Sequence, residues 1–283
     1  MSSAAEMSLK ARLRNFAKAK QLKPQTVVQN FMFERLLERL AKSEYRDHFI
    51  IKGGILISSM VGIATRSTMD MDATVIGLKL TMRNVRSVVE RIAAVPFDDG
   101  VTFSVVDVQR IRVKVEGYDG IRAKLQAKLF GLRVPLSVDF TAGDEVVPAP
   151  VEYKYSCQFS ESRILRLRAY SLETVLAEKC ETILQRNVTT TRTRDFYDVY
   201  ILTKLRRVRR RIFKRALMAT CEKRSTAGLL KRTDEILDMV AQSGVLLDYW
   251  RRYQREFPAA SGIRFAEAVQ AVRLLLSGFA DKR

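Results

Sequence analysis

Histidine is all but missing from this sequence of 283 residues: His48 is its single instance. One histidine cannot build a His-rich metal site, and beside an apolar run a structural role is expected for it. Cysteine is scarce as well. Cys157, Cys180 and Cys221 are odd in number and scattered, which argues against a disulfide framework or a zinc site and fits a reducing cytoplasm. No apolar run approaches the ~20 residues of a membrane-spanning helix. The opening Met1-Ser-Ser-Ala-Ala-Glu-Met-Ser lacks the charged-then-apolar order of a leader, so neither a span nor a signal peptide is expected. Internal repeats and low-complexity segments are missing too. Acidic residues are in deficit: 31 Asp and Glu stand against 50 Lys and Arg, a net charge of +19. That excess points to a polyanionic partner, nucleic acid first, over a charge that only keeps the chain dissolved.

Hydrophobic residues make up 47%, enough for the core of one large or two modest domains. The chain is organised around Lys52 to Val75. The apolar run Phe49-Ile50-Ile51 reads as a buried strand and is broken by Gly53-Gly54. Two glycines allow a sharp turn and a close approach to a ligand. Ile55 to Gly62 reads as a short helix, which puts the glycines at its N-terminus, where unpaired N–H groups suit a phosphate. Arg66-Ser-Thr68-Met-Asp70-Met-Asp72 follows, then the β-branched Thr74-Val75-Ile76. On a strand from Asp70 to Ile76 the two aspartates share a face. Paired carboxylates repel unless a cation joins them, and Mg²⁺ or Mn²⁺ bound to a nucleoside triphosphate would supply one. Lys52, Gly53, Gly54, Arg66 and Thr68 are therefore candidate nucleotide-binding residues, and Asp70 and Asp72 candidate catalytic metal ligands.

Upstream, Leu9 to Lys20 and Pro24 to about Ser43 read as helices that pack over the sheet, the second with Glu34, Arg35, Glu38 and Arg39 between its apolar positions. Downstream, Met82 to Val95 is an amphipathic helix. The runs Val101–Val106, Ile111–Val115, Ile121–Leu129 and Val134–Phe140 alternate as strands, with turns at Gly117–Gly120 and at Gly131. Tyr153–Phe159 and Ile164–Arg168 read as two more. Asp139 sits inside Leu136-Ser-Val-Asp-Phe-Thr, where an unpaired carboxylate would be costly if buried. From Ser171, an N-cap, the chain reads as helical. The fold class is α+β: a mixed sheet with flanking helices over residues 1–169, then a helical domain over residues 170–283. Lys204 to Arg215 carries eight Lys or Arg in twelve positions and no acid. Its apolar residues keep helical spacing, and its unbalanced charge argues for an anion outside the chain, with Arg206, Arg207, Arg209, Arg210 and Arg211 as candidate RNA contacts. Trp250 in Tyr249-Trp-Arg-Arg-Tyr253 could stack on bases but reads better as core.

Strand, Gly-Gly, helix, Arg-x-Thr-x-Asp-x-Asp and strand together resemble the nucleotidyltransferase superfamily of the DNA polymerase β type. More closely, the chain resembles the AbiEii toxin family of abortive-infection and toxin–antitoxin systems, which includes the MenT toxins. Glu178-Lys179 on one helix and Arg192-x-Arg194-Asp195-Phe-Tyr-Asp198 on the next carry the same resemblance, as does Phe140-Thr-Ala-Gly-Asp144, where Asp144 reads as a turn residue. Gly53-Gly54 departs from the superfamily's usual Gly-Ser, so no hydroxyl is offered there. The resemblance implies a third carboxylate on a neighbouring strand, a metal ligand or proton acceptor, and Asp139 fits it. It also implies that Lys179 reaches the triphosphate, with Arg194 and Asp195 or Asp198 nearby. As a whole it implies a cytoplasmic, monomeric Mg²⁺-dependent enzyme that moves an NMP from an NTP to RNA. The expected acceptor is the tRNA 3′ end, and the expected partner an antitoxin from a neighbouring gene. An antibiotic-modifying nucleotidyltransferase would share the metal site but needs no large positive surface. A non-enzymatic RNA-binding protein would explain the charge but not the aspartates.

Overall fold

The structure, a computed structural model, describes residues 3–112, 119–142, 146–159 and 163–279. In chain order its elements are α1 (Ser3–Ala19), α2 (Pro24–Lys42), β1 (Phe49–Lys52), α3 (Gly53–Val61), β2 (Met71–Val75), α4 (Met82–Ala93), β3 (Thr102–Arg112), β4 (Asp119–Leu129), β5 (Leu132–Ala142), β6 (Val151–Ser156) and β7 (Ile164–Ala169). The helices α5 (Leu172–Arg186), α6 (Thr193–Leu205), α7 (Arg210–Lys223), α8 (Thr233–Gln242), α9 (Gly244–Glu256) and α10 (Phe265–Leu276) follow. The chain divides into two compact units, one from Met1–Glu145 and Pro150–Tyr170, the other from Val146–Ala149 and Ser171–Arg283. Among the described residues no helix is long and apolar enough to cross a membrane.

The first unit is built on a seven-stranded mixed sheet in the order β3-β4-β5-β2-β1-β7-β6. The pairs β2/β5 and β1/β7 are parallel and the other four antiparallel. The architecture is α+β. In β4 the alternation decides which face is covered: Ile121, Ala123, Leu125, Ala127 and Leu129 are buried, while Arg122, Lys124 and Gln126 are half-buried and Lys128 is exposed. On the buried side Leu36 and Leu40 of α2 and Val89 and Ile92 of α4 close over Met71, Val138 and Phe140. The other side of β4 and β5 keeps its polar residues. The runs Val101–Val106 and Ile111–Val115 are one strand as far as Arg112, with the register shifting between Val105 and Asp107 so that Val106 is left out of the pairing. Residues 113–118 and 143–145, including the Gly117 end of the expected turn and Asp144, lie outside the described residues. Gly131 makes its turn at φ 78, and the strand expected over Tyr153–Phe159 is Val151–Ser156.

The helix α2 differs most from its amphipathic reading. Every residue from Gln29 to Leu40 is buried, Glu34, Arg35, Glu38 and Arg39 included. Ion pairs and backbone groups, most of them from the strands and loops around it, offset these charges. Arg39 grips Asp99 with two nitrogens at 2.8 and 2.9 Å and also donates to the Val101 carbonyl. Glu38 takes Arg163 at 2.5 Å and Arg35 at 2.9 Å. Glu34 accepts the backbone N–H groups of Gln158 at 2.6 Å and Phe159 at 3.3 Å.

Burial lifts the Glu34 carboxyl from 4.5 to about 7, and the two backbone donors and Arg35 pull against it. A carboxyl raised on folding makes the native state bind more protons than the unfolded chain between those two values. Stability therefore falls as pH climbs from about 4.5 to about 7, and the whole cost is present above that. Glu34→Gln keeps an acceptor for the two N–H groups and cannot ionise. Its stability relative to wild type should rise between pH 5 and pH 8 by up to about 3 kcal/mol. Urea melts at the two pH values measure this, and an advantage that does not grow with pH would refute it.

In the second unit Ser171 caps α5 by accepting from Thr174 N at 3.1 Å. Trp250 is 1% exposed, donates to the Ile263 carbonyl and packs on Phe265 and Tyr253, so it belongs to the core. The basic run Lys204–Arg215 is not one helix: α6 ends at Leu205 and α7 begins at Arg210, with Arg206–Arg209 between them. Leu205, expected on an apolar side, is 51% exposed, while Phe213 is fully buried. The repulsion of clustered guanidiniums, with no acid at i+4 to offset it, disfavours helix over this stretch.

Candidate active site

The strand registers bring four charged residues into one row. Lys52 on β1 faces Asp72 on β2, Asp72 faces Asp139 on β5, and Asp139 faces Arg122 on β4. Directly paired residues of adjacent strands share a face. The row therefore crosses the sheet with signs plus, minus, minus, plus, over about 14 Å at normal strand spacing. Asp70 stands one residue ahead of β2 and is exposed, not inside the strand as the sequence suggests.

The two glycines answer to this row. Gly53 has φ 64 and opens α3, with Lys52 as the residue before the helix. A Cβ placed on Gly53 would lie 2.0 Å from Asp72 Oδ2, and one on Gly54 would lie 2.5 Å from Thr68 Oγ1 and 3.4 Å from an Arg66 guanidinium nitrogen. The absent side chains let the N-terminus of α3 rest against Asp72 and Thr68. A phosphate bound at that helix end would therefore meet the carboxylate directly.

The loop that carries Asp70 is tied down from two sides. Thr68 Oγ1 donates to the Asp70 carbonyl at 3.0 Å and accepts from Asp70 N at 3.3 Å. Asn30 of α2 donates to the Thr68 carbonyl at 2.9 Å, and Gln29 to the Met69 carbonyl at 2.9 Å. Arg66 is 4% exposed and donates to the Ser67 carbonyl. The helix α2 thus positions the loop, a role its sequence pattern does not announce. His48, in turn, bonds the Ile76 carbonyl through Nδ1 at 2.9 Å and serves the end of β2.

Arg122 is the residue that motif reading missed. Its Nε and Nη2 donate to Asp139 Oδ1 and Oδ2, both at 2.7 Å. This bond raises the guanidinium above its usual value, and the charges of Asp139, Asp70 and Asp72 act in the same direction. The available signal was the alternation of β4, which places Arg122 on the uncovered face beside the acidic strands.

A hard divalent cation needs oxygen donors, and Asp70 and Asp72 supply them; Mg²⁺ is held by one or two carboxylates together with substrate phosphates. Asp139 as arranged is held by Arg122 through both its oxygens. Among the described residues no group of three or more His, Cys, Asp or Glu is gathered to hold a metal ion.

In the second unit Lys179 of α5 places its ammonium between Asp195 Oδ1 at 2.5 Å and Asp198 Oδ2 at 2.9 Å, both on α6. Sequence alone left open which aspartate acts, and both hold the lysine. Arg194 lies over the Phe257 ring, 5.0 Å from its centroid. Of the basic run, Arg209 grips Glu173 with two nitrogens at 3.0 Å, and Arg210 donates to the Leu274 and Leu275 carbonyls at the end of α10. Arg206, Arg207 and Arg211 are exposed. Lys204, Arg206, Arg207, Arg210 and Arg264 line a groove of about 760 Å³ beside α10, with Glu267 among them.

Residues 35–271 match the model of a protein family described as "Nucleotidyl transferase AbiEii toxin, Type IV TA system". Seven chains of known structure are similar to this one. Among them is an antigenic nucleotidyltransferase-like protein from Paracoccidioides brasiliensis, with a TM-score of 0.41 and 16% identity over 72% of this chain and 90% of that one. No curated protein matches the chain.

Proposed function

The chain belongs to the AbiEii family of nucleotidyl transferase toxins of type IV toxin–antitoxin systems, and from that premise we propose that it transfers an NMP from an NTP to RNA, the tRNA 3′ acceptor end being the favoured target. Family membership implies an antitoxin as partner. The observation that carries the reading is the seating of Asp72 against Gly53, which joins a carboxylate to a phosphate-binding helix end.

In this reading the N–H groups at the start of α3 hold the nucleotide's phosphates, and Lys52 adds positive charge from β1. Asp70 and Asp72 would hold Mg²⁺ or Mn²⁺, which when bound neutralises charge on the transferred phosphate and the departing pyrophosphate. The RNA hydroxyl oxygen forms the new bond to the α-phosphorus, the bond to the bridging oxygen of pyrophosphate breaks, and the hydroxyl proton leaves to a base. Asp139, the strand partner of Asp72, is the candidate for that base. In the same reading Lys179 would add a positive charge for the triphosphate. Incubating the pure protein with total tRNA and each labelled NTP tests the proposal. Label should enter tRNA with wild type and not with Asp72→Asn. No incorporation from any NTP would overturn it, and label on a small antibiotic acceptor instead would favour the antibiotic-modifying reading.

The exposed arginines and the basic groove support a polyanionic acceptor. Phosphate contacts position such a substrate without reading its sequence. Changing Arg207 and Arg211 together to Gln should weaken all tRNAs alike. It should also reduce the slope of log affinity against log salt by roughly 0.7 for each single-strand phosphate left unneutralised, or about 0.9 for each duplex phosphate. Arg209 and Arg210 are left in place because they bond within the protein. Affinity measured at several salt concentrations decides, and an unchanged slope would remove this surface from the RNA path.

A further inference from the structure

We propose that Arg122 is the resident cation of the acidic row: it holds Asp139 while no metal ion is bound, and gives that carboxylate up when a divalent cation and a nucleotide arrive together. The inference rests on the reading of Asp70 and Asp72 as a metal site and extends it to a residue outside the motif.

The geometry is specific. A guanidinium presents two parallel N–H donors that match the two oxygens of one carboxylate, and Arg122 uses both on Asp139 at 2.7 Å. Asp139 is in turn the direct strand partner of Asp72. Two carboxylates at adjacent strand positions repel each other, and a cation must offset this if both are to stay ionised. Arg122 supplies that charge, and its guanidinium senses Asp70 and Asp72 as well as Asp139.

The guanidinium and a divalent cation are like charges drawn to one carboxylate, so the closed pair opposes metal uptake by Asp139. Metal uptake by Asp139 and the Arg122 pair therefore compete, and the pair lowers the apparent metal affinity to the fraction of molecules in which it stands open. The Arg122 side chain is 35% exposed and lies on the uncovered side of β4, so it can turn outward without disturbing the core. A nucleotide adds phosphate oxygens that can receive the displaced fork. Metal alone would then bind poorly and metal with nucleotide well, so that the ion arrives with its substrate. Arg122 acts through Asp139 and is a positioning residue.

Mn²⁺ titrated by calorimetry into wild type, Arg122→Gln, Arg122→Lys and Asp72→Asn, all without nucleotide, tests this. Arg122→Gln should bind Mn²⁺ roughly tenfold tighter than wild type, the gain expected if the closed pair holds about nine-tenths of the molecules. Arg122→Lys, which keeps the charge and loses the fork, should fall between them. A non-hydrolysable NTP should bring wild type close to the Gln variant. Equal or weaker Mn²⁺ binding by Arg122→Gln, with wild type binding and Asp72→Asn not, overturns the role of Arg122 and leaves the metal site standing. Failure of wild type and Arg122→Gln alike to bind Mn²⁺, even with the nucleotide, overturns the metal reading and this inference with it. Should Arg122→Gln not fold, the Lys variant decides by the same comparison with wild type.

Discussion

Replacing Asp72 with asparagine should lower nucleotidyl transfer by ~10²-fold or more while the protein stays folded, by analogy with the loss of one preorganised electrostatic group. Asparagine has the shape of aspartate, so it still fits against Gly53, where no side chain could be accommodated. It lacks the charge, and phosphoryl transfer depends on charge neutralisation and positioning more than on covalent help from the protein. The loss should appear in kcat and in kcat/KM together, since the interaction strengthens at the transition state. Asp70→Asn should behave alike, because its loop is fixed by Thr68, Asn30 and Gln29 and not by its own carboxylate. Initial rates of labelled NMP incorporation, with a thermal melt as the folding control, measure the effect. A folded Asp72→Asn protein with near wild-type rates would remove the two-carboxylate mechanism.

Local signals made most of the first unit legible. The apolar run at Phe49, the glycine break and the alternation of Ile121–Leu129 each fix an element by periodicity, which needs only neighbours in sequence. The roles of Gln29, Asn30, Glu34 and Arg39 were not legible, because the partners they bond outside α2 lie 38 to 125 positions away. An isolated helix with that pattern would show its charges to water, and only the fold encloses them. The glycines fall at the start of α3 as read, and their missing side chains also make room for Asp72 and Thr68 of the same chain. Asp139 was found by its position in a strand, whereas Arg122 escaped because no motif contains it. It emerges only once β2, β5 and β4 are set side by side in register. The basic run shows the reverse error. Helical spacing of Leu205, Val208, Ile212 and Phe213 suggested continuity, yet Arg206–Arg209 break it, and Arg209 is drawn to Glu173.

Lys179→Ala should cost stability on the order of 3 kcal/mol, even though alanine is the better helix former. The ammonium lies between Asp195, 5% exposed, and Asp198, fully buried, so its removal takes a balancing charge from two carboxylates held out of water. Breaking a buried ion pair from one side is more damaging than never having built it, because the remaining charge keeps its desolvation cost without its partner. Adding Asp198→Asn to Lys179→Ala should therefore restore part of the loss, which a simple cavity left by the lysine stem would not allow. Urea melts of the single and double variants measure both steps, and a single variant as stable as wild type would refute the ion-pair account. The same proteins separate structure from catalysis. Assayed where the variants are folded, a raised KM for NTP that persists in the stabilised double variant marks Lys179 as a cation for the triphosphate. A KM that stays at the wild-type value in both would make the lysine a brace between α5 and α6, and the charge at the triphosphate would have to come from Lys52, Arg66 or Arg122.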